Sequence, residues 1–146
     1  MLLQSVLLVC IGNICRSPTA QCILQQRLAD KAITVSSAGL GALVGHAMDK
    51  TALTVLNRHG LDFPHHVARQ LSVDIIREND LILVMEKSHL QQVLALDSQA
   101  RGKVFLLSQW LEQQDIGDPY RQSETFFEHV FTLIEQACDS WAKRLI

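Results

Sequence analysis

The sequence lacks several features that mark particular classes of protein. Its 146 residues carry a formal net charge of −2 with acidic and basic residues mixed throughout, so nothing predicts the large basic surface that nucleic-acid binding usually requires. It has no apolar run of about 18 residues, the length of a membrane span. The nucleotide-binding pattern G-x-x-x-x-G-K-S/T is also absent, which argues against an NTPase. Partners must therefore be inferred from a site.

The apolar N-terminus is not typical of a targeting signal. The stretch MLLQSVLLVC has no basic region, and Gln4 and Ser5 interrupt its apolar run, which favours a buried first strand over a secretion signal. We therefore expect a cytoplasmic protein without membrane insertion. The chain is long enough to fold without disulfide bonds, so its four cysteines are predicted to be buried, catalytic or redox-active thiols. These are Cys10, Cys15, Cys22 and Cys138.

Short apolar runs predict the strands of a parallel sheet. Val6–Val9, Leu81–Met85 and Val104–Leu107 are continuous runs that suit strands covered on both faces, and Thr34–Ser37 is a weaker fourth strand. Strands that alternate with helical segments indicate right-handed βαβ units. With 48% hydrophobic residues, the chain fits one domain over residues 1–146. The predicted fold is α/β, an open four-stranded parallel sheet with helices on both faces, Rossmann-like or flavodoxin-like.

Helical spacing is visible in four segments. The clearest starts near Ser123 and carries an apolar stripe to the C-terminus. Another follows Ser88, its expected cap, and a third ends at Gly60. The remaining helix follows the first strand, with Ser17 expected near its cap and Pro18 at its first helical position.

The loop between the first strand and the first helix predicts an anion site. Its backbone N–H groups can converge on one point, where the helix dipole adds to their hydrogen bonds. A thiol at that point is favoured in its ionised form, so Cys10 is predicted to be a nucleophilic thiolate. Arg16 adds a planar fork for two oxygens of a tetrahedral anion, and Gly12 allows close approach. The predicted phosphate-binding residues are Ile11, Gly12, Asn13, Ile14, Cys15, Arg16 and Ser17.

Two polar side chains of this loop have further predicted roles. Asn13 can hydrogen-bond and thereby hold the shape of the loop. The Ser17 hydroxyl can donate to the sulfur, which matters when a thiolate must leave.

This pattern resembles that of a known family. C-x-x-x-x-x-R-S between a strand and a helix resembles the phosphate loop of protein tyrosine phosphatases, and VCIGNICRSP near the start of the chain is similar to their low-molecular-weight family. The similarity covers nearly the whole chain. SSAGLGALVG (36–45), HVARQL (66–71), LILVMEKSH (81–89) and DPYRQSETF (118–126) are especially similar to the bacterial Wzb-type enzymes, which accompany capsule or exopolysaccharide tyrosine kinases.

The resemblance implies a fold, an activity and a set of site residues. It implies the phosphotyrosine protein phosphatase I fold and phosphotyrosine hydrolysis without a cofactor or metal. The implied partner is the tyrosine-rich tail of a bacterial tyrosine kinase, and the implied state is a monomer or weak dimer. By position, the resemblance implies Cys10 as nucleophile, Arg16 as phosphate clamp, Asp118 as general acid, and Ser37 and His66 as residues that brace Asn13.

Asp118 also has a chemical argument of its own. An aryl phosphate leaves as a phenolate whose conjugate acid has a pKa of about 10, so a positioned proton donor contributes roughly 10²–10⁴ in rate. Asp118 lies in a loop segment before Pro119 and can supply that proton.

The substrate ring is expected to lie between two apolar walls, Leu40 and Tyr120. Vertebrate members of the family carry an aromatic residue where Leu40 stands and a second tyrosine where Arg121 stands. The wall in this chain is therefore less aromatic.

Several alternatives stay open at this point. The same scaffold hosts arsenate reductases, in which a cysteine relay follows arsenate binding, and a non-catalytic phosphotyrosine-binding module is a third class. Cys15 is either a redox partner that forms a disulfide with Cys10 or an inward-packing loop residue. His66, beside His65, lacks clustered acidic or cysteine ligands and is interpreted as structural. Side chains interpreted as core or helix-packing residues are Cys22, Cys138, Trp110 and Trp141.

Overall fold

A computed structural model describes residues 2–145 of the chain. Its elements, in chain order, are β1 (Ser5–Cys10), α1 (Arg16–Arg27), β2 (Thr34–Gly39), α2 (Lys50–Arg58), α3 (Val73–Glu78), β3 (Leu81–Val84), α4 (Lys87–Leu96), β4 (Val104–Leu106) and α5 (Glu124–Arg144). A short 3₁₀ turn, Ser98–Ala100, lies between α4 and β4. None of the helices in this range combines the length and the apolar composition that a membrane crossing needs.

The four strands form one parallel sheet in the order β2-β1-β3-β4. Alternate residues of β1 enter two separate apolar cores. Val6 and Leu8 pack with α1, α2 and α5, whereas Leu7 and Val9 pack with α3 and α4. The predicted α/β fold, with helices on both faces of the sheet, is confirmed.

The sheet also fixes where a ligand can bind. After β1 the chain passes to β2 on one side, and β3 pairs on the other side of β1. Loops separate at such a switch point, and in open parallel sheets ligands bind there, beyond the carboxyl ends of the strands. Cys10 is the last residue of β1 and lies at this point.

Two predicted helix starts need correction. Helix α1 begins at Arg16 with Cys15 as its N-cap, so Ser17 and Pro18 lie inside the first turn. The Cys15 carbonyl accepts from Thr19 N at 3.2 Å and from Thr19 Oγ1 at 2.7 Å, which closes that turn early. Ser88 is not the cap of α4, which begins at Lys87. By contrast, Ser123 caps α5 as predicted, its Oγ accepting from Phe126 N.

Smaller features differ from or extend the sequence prediction. Helix α3 was not predicted, because its six residues are too few to show helical periodicity, although Ser72 caps it. Cys22, Cys138 and Trp141 are buried in the core as predicted. Trp110 is half exposed and packs edge-on against Trp141, with ring centroids 5.4 Å apart.

Candidate active site

The phosphate loop, residues 10–17, joins β1 to α1 and has all its carbonyl groups from Cys10 to Cys15 occupied by donors. Residues outside the loop contact five of these carbonyl groups. Four of the contacts are backbone hydrogen bonds of 2.9–3.0 Å, which run from Leu40 N to Cys10, from Gly41 N to Ile11, from Leu43 N to Gly12 and from Asp49 N to Ile14. In the fifth, His66 Nε2 lies 2.6 Å from the carbonyl oxygen of Asn13. Among the described residues, no group accepts from the backbone N–H groups of residues 11–17. These N–H groups are therefore available to an anion, as the loop pattern predicts.

Asn13 holds the loop in this shape. Its φ of 58° lies in the left-handed region, which asparagine tolerates better than most residues. Its buried side chain makes three hydrogen bonds: Nδ2 donates to Ser17 Oγ at 2.7 Å and to Ser37 Oγ at 3.0 Å, and Oδ1 accepts from Arg69 N at 3.0 Å. The amide thus links the loop to α1, to β2 and to the segment before α3.

The sulfur of Cys10 lies 2.9 Å from Ser17 Oγ. The Ser17 hydroxyl has a single proton, and its oxygen already accepts from Asn13 Nδ2. That proton can therefore be donated to the sulfur, and hydrogen bonds to an ionised acceptor are the stronger class. The arrangement Asn13 to Ser17 to Cys10 suits a thiolate.

Arg16 is buried, with 2% of its surface exposed, and is held at one end of its guanidinium. Nη1 donates to Glu86 Oε2 at 2.6 Å and to the carbonyl of Ile116 at 2.7 Å. Nη2 and Nε stay available for a bound anion, so the fork can be fixed before a ligand arrives. Neither Glu86 nor Ile116 was predicted from the sequence; the only signal for Glu86 is that it follows a buried strand, at the edge where ligands bind.

Asp118 lies in the loop before α5, and the structure brings it to the same site. Its Oδ2 is 3.9 Å from Arg16 Nη2, and half of its side chain is exposed. Its Oδ1 accepts from Tyr120 N at 3.0 Å, which fixes the turn that also places Tyr120. The carboxylate therefore stands at the mouth of the loop, where a leaving group would depart.

An open cleft of about 190 Å³ lies above the phosphate loop. The structure places the predicted ring wall Tyr120 in its lining, but not Leu40. Leu40 follows β2 directly and packs against the apolar core shared with α3 and α4. The chain then turns, and Leu43, 38% exposed, lines the cleft in its place. The lining residues are Cys10, Ile11, Gly12, Ile14, Cys15, Arg16, Gly41, Leu43, Asp118 and Tyr120.

Cys15 also lines the cleft. Burial raises the pKa of Cys15, and nearby Asp49 raises it further, so this residue stays a neutral thiol. Burial likewise raises the pKa of Cys22 and of Cys138. All four cysteines are free, and a disulfide between Cys10 and Cys15 stays a prediction.

His66 packs against the outer side of the loop. Its Nε2 reaches the carbonyl of Asn13, and its ring stacks on Phe63 with centroids 5.5 Å apart. Burial lowers the pKa of His66, and the hydrogen bond to Asn13 opposes that shift. The described part of the chain contains no group of three His, Cys, Asp or Glu side chains that could hold a metal ion.

The lowered pKa of His66 predicts a pH dependence of stability. The unfolded chain binds a proton at this residue near its ordinary pKa of about 6.5, whereas the folded chain does so only at lower pH. Folding stability is therefore expected to fall as the pH drops from about 7.5 to 5, and His66→Gln should weaken this fall. Urea unfolding followed by circular dichroism measures it. The exposed His129→Gln is the control, and equal pH slopes for His66→Gln and wild type would contradict the prediction.

Comparisons with known proteins find relatives that match almost the whole chain. The family model described as low molecular weight phosphotyrosine protein phosphatase matches residues 5–146. The low molecular weight protein-tyrosine-phosphatase Etp of Escherichia coli (strain K12) is 48% identical over 142 residues, which cover 97% of this chain and 95% of Etp.

Two solved structures are similar over almost their whole length. The Erwinia amylovora tyrosine phosphatase AmsI superposes with a TM-score of 0.94 at 45% identity, covering 99% of this chain and 94% of AmsI. Vibrio vulnificus Wzb in complex with benzylphosphonate also gives a TM-score of 0.94, at 42% identity, with coverage of 98% of this chain and 99% of that one.

Proposed function

Because this chain belongs to the low molecular weight phosphotyrosine protein phosphatase family, we propose that it hydrolyses phosphotyrosine through a phosphocysteine intermediate on Cys10. One observation carries the proposal: Cys10 and Arg16 line one cleft together with Ile11, Gly12, Ile14 and Cys15, whose backbone N–H groups have no acceptor among the described residues. Phosphoryl transfer depends mainly on positioning and charge stabilisation, and this cleft supplies both.

In the first step the Cys10 thiolate attacks phosphorus. The S–P bond forms while the bond from phosphorus to the aryl oxygen breaks, and Asp118 gives its proton to that oxygen, so tyrosine leaves neutral. Arg16 and the loop N–H groups hold the remaining phosphate oxygens. The 3.9 Å separation of Asp118 from Arg16 keeps the acid beside the bound group.

In the second step water attacks the phosphocysteine. Asp118, now ionised, takes a proton from the water as the O–P bond forms and the S–P bond breaks. Inorganic phosphate and the thiolate result. The 2.9 Å contact between Ser17 Oγ and the sulfur of Cys10 supports this step, because a donated hydrogen bond stabilises the departing thiolate.

Selectivity for tyrosine follows from the depth of the cleft. Cys10 is 2% exposed, whereas Tyr120 and Leu43, which line the same cleft, are 37% and 38% exposed. A phosphorylated ring can span that depth between the two walls, and the shorter serine and threonine phosphates leave phosphorus too far from the sulfur. Benzylphosphonate, the ligand in the Vibrio vulnificus Wzb structure, combines such a ring with a tetrahedral anion.

The physiological partner is the finer part of the proposal. On the resemblance of the sequence motifs to the bacterial Wzb-type enzymes, we propose as partner a bacterial tyrosine kinase that regulates capsule or exopolysaccharide production, with its tyrosine-rich tail as substrate. We propose that residues 1–146 act as one cytoplasmic domain, as a monomer or weak dimer. Etp and AmsI are named tyrosine phosphatases, and the similarity to them supports this function over an arsenate reductase. A non-catalytic binding module would not need the nucleophile, the arginine and the acid together.

The function is tested by measuring phosphate release. The enzyme should hydrolyse p-nitrophenyl phosphate and tyrosine-phosphorylated peptides at rates that a chelator does not change, because no step uses a metal. Matched peptides that carry phosphoserine at the same position should be at least about 100-fold poorer substrates, a difference set by reach into the cleft. Equal rates on both peptide sets would contradict the selectivity. Arsenate-dependent oxidation of a thiol donor, with no phosphatase turnover, would support the reductase instead.

A further inference from the structure

A carboxylate supports Arg16 from behind, and a buried histidine contacts that carboxylate. Both protons of Arg16 Nη1 are used, one by Glu86 Oε2 at 2.6 Å and one by the carbonyl of Ile116 at 2.7 Å. The orientation of the guanidinium therefore depends on where Glu86 holds its oxygen. His89 Nε2 lies 3.3 Å from the same Oε2 atom.

The Glu86 carboxylate contacts Arg16 and His89 and does not cap the helix that follows it. Glu86 is the N-cap residue of α4, yet its side chain makes no capping hydrogen bond. Asp115, from the loop before α5, accepts from Lys87 N at 2.9 Å and caps the helix instead. The Glu86 side chain is thereby left to face Arg16 and His89.

His89 occupies a place where an apolar side chain would be expected. It is 1% exposed, and its Nδ1 is the one buried side-chain nitrogen or oxygen in the described residues without a hydrogen-bond partner. An unsatisfied buried polar atom is costly and calls for an explanation. The polar contact of this residue is on its other ring nitrogen, Nε2, which lies 3.3 Å from Glu86 Oε2.

The charges around His89 favour its neutral form. Burial and the positive charge of Arg16, on α1, lower the pKa of His89, while Glu86 before α4 and Asp115 and Asp118 before α5 oppose that shift. A neutral imidazole with its proton on Nε2 can donate to Glu86 without competing with Arg16 for the negative charge.

We propose that His89 is a positioning residue for phosphate transfer: its Nε2–H fixes the Glu86 carboxylate, which in turn fixes the guanidinium of Arg16 toward the phosphate site. This inference rests on the proposed function, because it assigns a role within the same site. His89 does not touch the substrate and acts through Glu86.

The test is a double-mutant cycle between His89 and Glu86, in which both the turnover of substrate and the binding of phosphate are measured. His89→Leu should lower kcat/KM for p-nitrophenyl phosphate by about 10- to 100-fold, the cost of a misplaced binding group, and should weaken binding of inorganic phosphate in calorimetry. His89→Gln keeps an N–H group that can reach Glu86 and should stay within about threefold of wild type. His89→Asn is polar but too short and should behave as the leucine variant does. In a Glu86→Ala background, His89→Leu should cost nothing further, because its effect passes through Glu86.

The outcomes separate positioning from mere packing. His129→Leu, a substitution at an exposed histidine of α5, is the matched control and should leave all values unchanged. If His89→Leu does not fold, the test is the comparison of kcat/KM and phosphate affinity between His89→Gln and His89→Asn. Wild-type kcat/KM and phosphate affinity in His89→Asn, or an undiminished effect of His89→Leu in the Glu86→Ala background, would overturn the proposal. Absence of turnover in the wild-type enzyme would contradict the proposed function instead, and phosphate calorimetry would still test His89.

Discussion

Cys10→Ser is expected to lower turnover of aryl phosphates by about 10⁴-fold or more, because a serine hydroxyl is not ionised at neutral pH and is a much poorer nucleophile there. Binding of inorganic phosphate should persist, since the loop N–H groups and Arg16 are unchanged. The variant should also lose the negative charge that a thiolate sets against a dianion, so its phosphate affinity should equal or exceed that of the wild type. Phosphate release and calorimetry measure the two effects.

A quench experiment adds a direct test of the intermediate. Acid quenching of wild-type enzyme during turnover of a ³²P-labelled substrate should trap label on the protein, and Cys10→Ser should trap none on sulfur. Cys22→Ala changes another buried cysteine of α1, outside the cleft, and should keep full turnover. Substantial activity in Cys10→Ser would remove Cys10 from the mechanism.

Replacing Asp118 by asparagine should lower kcat by roughly 10²–10⁴ for phosphotyrosine and phenyl phosphate, whose leaving groups need a proton. The loss should be smaller for p-nitrophenyl phosphate, because p-nitrophenolate leaves readily without protonation. This dependence on the leaving group distinguishes a general acid from a residue that only shapes the loop. Asparagine keeps the side-chain oxygen that accepts from Tyr120 N, so the turn should be preserved.

The control for Asp118→Asn is Glu112→Gln, which removes another exposed carboxylate just before the same loop. It should leave the rate on every substrate unchanged. A uniform loss on good and poor leaving groups in Asp118→Asn would show that the carboxylate does not act as the proton donor.

The fold was largely predictable because its signals are local. β1, β3 and β4 are uninterrupted apolar runs, and the amphipathic stripe of α5 repeats over many turns. Helix α3 escaped prediction, since a single buried residue, Ile76, gives no period to detect. The start of α4 was predicted at Ser88, but the helix begins at Lys87. The backbone N–H of Lys87 donates to Asp115, a residue too distant in sequence to show in a local pattern.

The site was predictable to the extent that it is contiguous in sequence. Cys10, Arg16 and Ser17 share one short loop, so their spacing carries the information. Glu86 meets Arg16 only because β3 pairs with β1 in a particular register, and no local pattern encodes that register. Leu43 was missed for a similar reason: its backbone N–H is bound to Gly12, which brings the side chain to the rim, whereas its neighbour Leu40 turns toward a core.

Donors from other parts of the protein occupy the carbonyl groups of the phosphate loop, and its N–H groups are available to an anion. This arrangement implies how the enzyme should respond to its own product. If the main-chain amides of the loop bind phosphate as proposed, they hold the three non-bridging oxygens that an ester and free phosphate share, so released phosphate should act as a competitive inhibitor. Net flux should then depend on the ratio of phosphorylated tyrosine to free phosphate in the surrounding medium. Phosphate-buffered assays should underestimate the rate, and sulfate should compete in the same way, because it presents a similar tetrahedral set of oxygens.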